Sequence, residues 1–220
     1  MPEVIFTGPA GRLEGRYHPA KQKNAPIAMV LHPHPQFQGN MNHPIVYQVY
    51  YAFVARGFSV LRFNFRGVGL SAGAWDDGRG ERDDYSAAID YVEAAYPGLE
   101  LWAAGFSFGS YVALTVGADD TRICALVAIA PPVDRYDFAS VQTSHKPIFI
   151  VHGEDDELIS LKFVRRFYAE LEEPKEPKKT TLKVNESIET EARIEPDLVE
   201  RVPISSEISE DKPEVEQEKP

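Results

Sequence analysis

Apolar residues along this chain recur with two spacings, and the spacing switches where glycine and proline fall. Ala25–His32, Phe58–Phe65, the run that opens at Leu99, Ile123–Ile129 and Pro147–Val151 are continuous apolar stretches of strand length, the pattern of strands buried on both faces. Between them apolar positions return every three or four residues. Ile45–Arg56 carries Ile45, Val46, Val49, Tyr50, Phe53 and Val54 on one face, with Pro44 in its first turn and Gly57 as its stop. Glu81–Tyr96 stripes Tyr85, Ala88, Ile89, Val92 and Ala95; Ser110–Ala118 is a third helix; Ser160 caps a fourth, with Leu161, Val164, Phe167, Tyr168 and Leu171 on one side. Ahead of them, Glu3–Thr7 and Gly11–His18 read as a hairpin around Gly-Pro-Ala-Gly. Alternation of strand and helix from Ala25 to Glu173 predicts an α/β domain over 1–173, its sheet mostly parallel with helices on both faces.

Beyond residue 173 the pattern stops. The last glycine is Gly153 and the last aromatic Tyr168, and Glu172–Pro220 carries 15 acidic against 8 basic residues. Residues 174–220 therefore read as an acidic, disordered tail, with Thr180–Val184 the single stretch there able to make a final strand. The net charge of −11 sits mostly in that tail, and no basic patch with interleaved aromatics marks a nucleic-acid partner. No leader-like N-terminus and no run of ~18 apolar residues is present, and the lone Cys124 lies within an apolar strand. These features predict a cytoplasmic protein that meets neither membrane nor nucleic acid. No metal-ligand cluster or dinucleotide loop calls for a cofactor.

The chemistry is concentrated in Leu99–Gly109, LELWAAGFSFG, where a strand runs into Gly-x-Ser-x-Gly. A serine on a sharp strand-to-helix turn needs small residues two places to either side, and Gly105 and Gly109 supply them around Ser107. The helix that follows leaves the Phe108 N–H free to face a developing oxyanion. In a parallel sheet the reactive groups gather at the carboxyl ends of the strands. Four polar loops fall there: His32–Gln36, Arg66–Ser71, the Ser107 elbow and Gly153–Asp156.

VLHPHPQFQGN at Val30–Asn40, LRFNFRGVGLS at Leu61–Ser71, GFSFG at Gly105–Gly109 and VHGEDDE at Val151–Glu157 together resemble the α/β-hydrolase fold, and within it the small lidless bacterial hydrolases of dienelactone-hydrolase or serine-aminopeptidase type. The resemblance covers about Met1–Glu173. It implies that Ser107 attacks an acyl carbonyl, that Phe108 N–H forms half of an oxyanion hole, and that the other half comes from the loop after Ala25–His32. Pro33 and Pro35 have no N–H, so His34 or Gln36 is left to donate. It places the triad acid at Asp156, to orient an imidazole and stabilise it when charged. Arg66, Asn64 and Ser71 read as loop braces, Arg66 through carbonyls. The gap Pro131–Lys146 is too short for a lid, so the site is expected to be open, with Tyr136 or Phe138 on its rim.

The family's histidine follows the last strand, and here no histidine follows His152; Asn185-Glu186-Ser187-Ile188 stands in its place. The last strand and helix are therefore expected to be incomplete. His34 and His43 flank the oxyanion loop and are the candidates to substitute; His152 is expected to pack beside the elbow and His145 to lie at the opposite edge. Two functions remain: a serine hydrolase acting on a small acyl substrate through an acyl-enzyme, or an impaired hydrolase scaffold that binds a partner or is a truncated remnant.

Overall fold

The structure, a computed structural model, describes residues 2–172 and the main chain of Thr181–Val184. Eight strands form one sheet: β1 (Glu3–Gly8), β2 (Gly11–His18), β3 (Ile27–Leu31), β4 (Ser59–Phe63), β5 (Leu101–Phe106), β6 (Ile123–Ile129), β7 (Ile148–His152) and β8 (Thr181–Val184), in the order β1-β2-β4-β3-β5-β6-β7-β8. The hairpin β1/β2 adds to β4 antiparallel; every pair from β4 to β8 is parallel. The α/β architecture expected from the alternating pattern is the one observed.

Helices α1 (Pro44–Ala55), α2 (Arg79–Ala95), α3 (Phe108–Asp119), the single turn α4 (Ala139–Gln142) and α5 (Leu161–Ala169) complete the fold. Side chains alternate across β3. Ile27, Met29 and Leu31 enter the larger core with Tyr85, Ile89 and Val92 of α2, Val112 and Leu114 of α3, and Val164 and Phe167 of α5. Ala28 and Val30 face the other way, onto Val46, Tyr50 and Phe53 of α1. A strand covered on both faces has no solvated side to mark with polar residues, hence its unbroken apolar run.

Thr180–Val184, the stretch able to make a final strand, supplies one: β8 pairs with β7 from Phe149↔Thr181 to His152↔Val184. Thr181–Val184 thus joins the sheet from within the stretch assigned to the tail; the remainder of 174–220 lies outside the described residues. Of Tyr136 and Phe138, the two alternatives for the rim of the site, Phe138 is buried against Phe167 and Tyr111. Tyr136 stays half-buried, stacked on Tyr111 at 4.4 Å.

Candidate active site

Ser107 follows β5 and caps α3 with φ 52° and ψ −120°, a conformation that costs a non-glycine residue of order 1–3 kcal/mol. Its surroundings enforce it. The Ser107 N–H is held by the Ile129 carbonyl at 2.8 Å, and its own carbonyl accepts from Ser110 and Tyr111. A Cβ at Gly105 would lie 2.2 Å from the Gly109 carbonyl carbon, and one at Gly109 would lie 2.5 Å from the Leu31 and His32 carbonyl oxygens. Both glycines are therefore the contact points through which α3 sits against β5 and β3. Phe108 begins the helix, so its N–H precedes the first intrahelical bond and is unspent.

Asp156 lies on the loop after β7, at the same edge as Ser107 because β5, β6 and β7 are parallel. With strands about 4.8 Å apart, the two loops start roughly 10 Å from each other. One carboxylate oxygen, Oδ1, accepts the N–H groups of Leu158 and Ile159, each at 2.9 Å. That leaves Oδ2 for another partner. Val184 ends β8 level with His152, and the sequence continues Asn185-Glu186-Ser187 without a histidine.

The loop after β3 is built on histidine and proline. His32 is fully buried; its Nδ1 donates to the Pro33 carbonyl at 2.6 Å and its Nε2 accepts the Phe65 N–H at 3.1 Å. Burial holds its pKa down to about 4, so the ring is neutral and serves to tie β3 to the chain leaving β4. His34-Pro35-Gln36 and His43-Pro44-Ile45 then repeat one local device. In each the histidine is the N-cap, proline takes the first helical position, and imidazole Nδ1 accepts the next N–H, from Gln36 or Ile45, at 3.2 Å. Accepting at Nδ1 places the proton of a neutral ring on Nε2. Desolvation lowers both pKa values, so both rings are neutral at pH 7.

The two capping rings bracket the elbow. His43 packs on Phe106 at 5.1 Å and His34 on Phe108 at 5.2 Å, with Trp75 on the other side of His34 at 4.3 Å. Either ring could free an Nε2 lone pair only by moving its proton to Nδ1. That tautomer would set Nδ1–H against a backbone N–H and lose the capping bond, a cost of about 1–3 kcal/mol. Of the two residues expected to complete an oxyanion hole, Gln36 spends its main-chain N–H on His34, and the His34 carbonyl accepts from Phe37 and Gly39. An open groove of about 500 Å³ runs along this loop, lined by Glu14, Pro35, Asn40, Asn42, Asn64 and Val68; Ser107 is not among its lining residues.

The bracing residues behave as the sequence suggested, with one change of partner. Asn64 Oδ1 accepts the Met41 N–H at 2.8 Å, and Ser71 Oγ donates to the Asn64 carbonyl at 2.7 Å. Arg66 grips a carboxylate rather than carbonyls: its side chain bonds both oxygens of buried Asp84, at 3.0 and 2.7 Å, and its main-chain N–H adds a third bond at 2.9 Å. Among the described residues no group of three or more His, Cys, Asp or Glu could hold a metal ion, and no helix is long and apolar enough to cross a membrane. Cys124 is half-buried in β6 and donates to the Leu101 carbonyl.

The family model of X-Pro dipeptidyl-peptidases (S15 family) matches residues 15–143, more than half of the chain. The chain belongs to the S15 family. Within the α/β-hydrolase superfamily it is similar to the uncharacterized protein RP471 of Rickettsia prowazekii (strain Madrid E), 44% identical over 75% of this chain and 71% of the relative. Among solved structures it resembles a protein of unknown function from Agrobacterium tumefaciens, at 43% identity and TM-score 0.76 over 83% of each chain. It also resembles a serine hydrolase without a lid from Xanthomonas campestris, at 35% identity and TM-score 0.74 over 83% of this chain and 82% of the other. The family model and these neighbours support hydrolase chemistry of the serine type, and the connection from β6 to β7 in this chain carries only the single turn α4.

Proposed function

We propose that this S15-family chain is a serine hydrolase of small acyl compounds, esters in particular, with Ser107 as the nucleophile that carries the acyl group. The observation that carries this reading is the backbone of Ser107, held at positive φ where β5 meets the N-terminus of α3. Strain of that kind persists only when the surroundings over-determine it, and it lifts the hydroxyl clear of the sheet beside an unspent N–H. Phe108 N–H is one oxyanion donor. The second comes from the loop after β3, and His34 is the better candidate than Gln36, whose N–H is turned into the His34 ring. Asp156, the candidate triad acid, holds its own loop through Oδ1 and keeps Oδ2 clear of those bonds.

The test is labelling by a fluorophosphonate probe, read by intact mass and peptide mapping. Ser107 should take the label and Ser107→Ala should not. Equal labelling of both proteins, or none of either, refutes the assignment. One observation favours a second reading, a hydrolase scaffold that binds without turning over: no histidine follows β8. It predicts that acyl compounds still protect the protein against thermal unfolding while steady-state hydrolysis stays at background.

A further inference from the structure

All six histidines of the sequence fall within the described residues, and no nitrogen of any of them hydrogen-bonds Ser107 Oγ. His18 Nδ1 pairs with the Tyr50 hydroxyl at 3.1 Å, and His145 lies before β7, at the opposite edge of the sheet, with Glu172 at 3.3 Å. Both nitrogens of His32 are bonded to the main chain. His34 and His43 accept backbone N–H groups at Nδ1, which leaves the proton of each neutral ring on Nε2. His152 donates Nε2–H to the Ile159 carbonyl at 2.8 Å; its Nδ1 is buried with no hydrogen-bond partner, Ser107 Oγ included. The described residues thus set the N–H at the start of α3 beside Ser107 and bring no imidazole nitrogen into a hydrogen bond with its hydroxyl.

We infer that Ser107 accepts acyl groups only from donors whose leaving group departs without a proton, aryl esters and thioesters, and that the acyl-enzyme then persists. The inference rests on the reading of Ser107 as nucleophile. In the acylation step Ser107 Oγ bonds to the acyl carbon, the bond from that carbon to the phenolic oxygen or thiol sulfur breaks, and the leaving group departs as phenolate or thiolate. The serine proton passes to hydroxide from the solvent, so the step is first order in hydroxide. Donors aimed at the carbonyl oxygen lower this barrier whether or not a base is present. An alkoxide or an amide nitrogen is too basic to leave in this way and needs a general acid, which a neutral imidazole cannot be. Deacylation meets the same obstacle twice: water must be activated, and the group expelled is the Ser107 alkoxide itself. The acyl-enzyme is therefore the resting product, and peptide bonds are excluded as substrates.

The experiment uses the full chain and its Ser107→Ala variant with 4-nitrophenyl acetate in a stopped-flow instrument from pH 6 to 9, followed by intact mass. Ethyl acetate, 4-nitroacetanilide and the fluorophosphonate probe run in parallel. Expected are one equivalent of nitrophenol per protein, an acetyl group on Ser107, and an acylation rate that climbs about tenfold per pH unit without levelling near 6.5. Ethyl acetate and the anilide should remain uncleaved. Sustained turnover of either, an acylation rate that levels above a titration near 6.5, or a protein that takes the fluorophosphonate at Ser107 but no acetyl group overturns this inference and leaves Ser107 as nucleophile. Acetylation that survives in Ser107→Ala, or a wild type that takes neither reagent, overturns the nucleophile assignment and this inference with it.

Discussion

His32 Nε2 accepts the amide proton of Phe65 at 3.1 Å, and the two rings meet edge to face at 4.7 Å. This contact joins the carboxyl ends of β3 and β4, and it requires the imidazole to be neutral. Burial, the largest influence on it, depresses the His32 pKa from 6.5 to about 4. A protonated Nε2 would face a donor with another donor.

A pH dependence of stability follows. Above pH 6.5 the ring is neutral folded and unfolded, and contributes no slope. As pH falls from 6.5 towards 4 the unfolded chain binds a proton that the folded chain refuses, so stability drops, on the order of 3 kcal/mol in all. Urea denaturation at pH 7, 5.5 and 4.5 measures it. His32→Gln should be less stable at pH 7 and show a shallower decline, which separates this ring from the other groups that titrate in the range. Parallel wild-type and variant profiles would contradict the assignment.

The elbow glycines exclude a side chain for steric reasons, which sets them apart from glycines that serve only a left-handed backbone. Gly109→Ala drives a Cβ to 2.5 Å from two main-chain oxygens with no flexible side chain to yield. It should cost about 3 kcal/mol, the upper part of the overpacking range, and should abolish fluorophosphonate labelling. Gly57, at φ +82°, has nothing within 4 Å of the position a methyl group would take. As alanine it should lose only about 1–2 kcal/mol and keep its labelling. Thermal unfolding of both variants ranks them; the reverse order would remove sterics as the reason for glycine at 109.

Asp84 has no exposed side-chain surface and Arg66 one-tenth, so their ion pair is almost fully desolvated. Asp84→Ala strips three hydrogen bonds from Arg66 and strands a guanidinium, a loss of about 3–5 kcal/mol. The double variant Asp84→Ala/Arg66→Met should recover part of that loss in urea midpoints. No recovery would mean that the pair's contribution is not the buried charge.

The sheet, its edges and the elbow are legible in sequence because each is written in local chemistry: runs without polar residues, and glycines that steric contact demands. Arg66 is legible as a brace, but its partner is 18 residues away on α2, and spacing carries no trace of that pairing. Arg62 is less legible still. It sits fully buried in β4 beneath Tyr47 and Tyr50, whose ring centres lie 4.2 and 5.0 Å from its guanidinium carbon. A strand reading Val-Leu-Arg-Phe hides the fact that a helix supplies the arginine's surroundings. Between Tyr136 and Phe138 the sequence does not choose a rim residue, because a short loop between strands gives no hint that Phe138 folds inward. The repeated His-Pro-x is the one available signal for the caps, since proline suits a first helical position and an acceptor suits the place before it.

Asp156 is the residue where two roles coincide, and two substitutions separate them. Its Oδ1 accepts two main-chain N–H bonds from Leu158 and Ile159, a structural duty that any Asx side chain performs. Asp156→Asn keeps that carbonyl oxygen and should leave the unfolding midpoint within about 0.5 kcal/mol of wild type; Asp156→Ala removes both bonds and should cost about 1–2 kcal/mol. Charge is what the asparagine variant lacks. If Asp156 supports a working imidazole, Asp156→Asn should lower turnover on the order of 10⁴-fold, because the ring loses its orientation and the stabilisation of its charged form. If Ser107 works without an imidazole, the same variant should acylate at nearly the wild-type rate. Chemical denaturation together with stopped-flow acylation by 4-nitrophenyl acetate reads both effects on the same protein samples. An asparagine variant as unstable as the alanine variant would show that the loop depends on the carboxylate's charge, and the division of labour between the two oxygens would then be wrong.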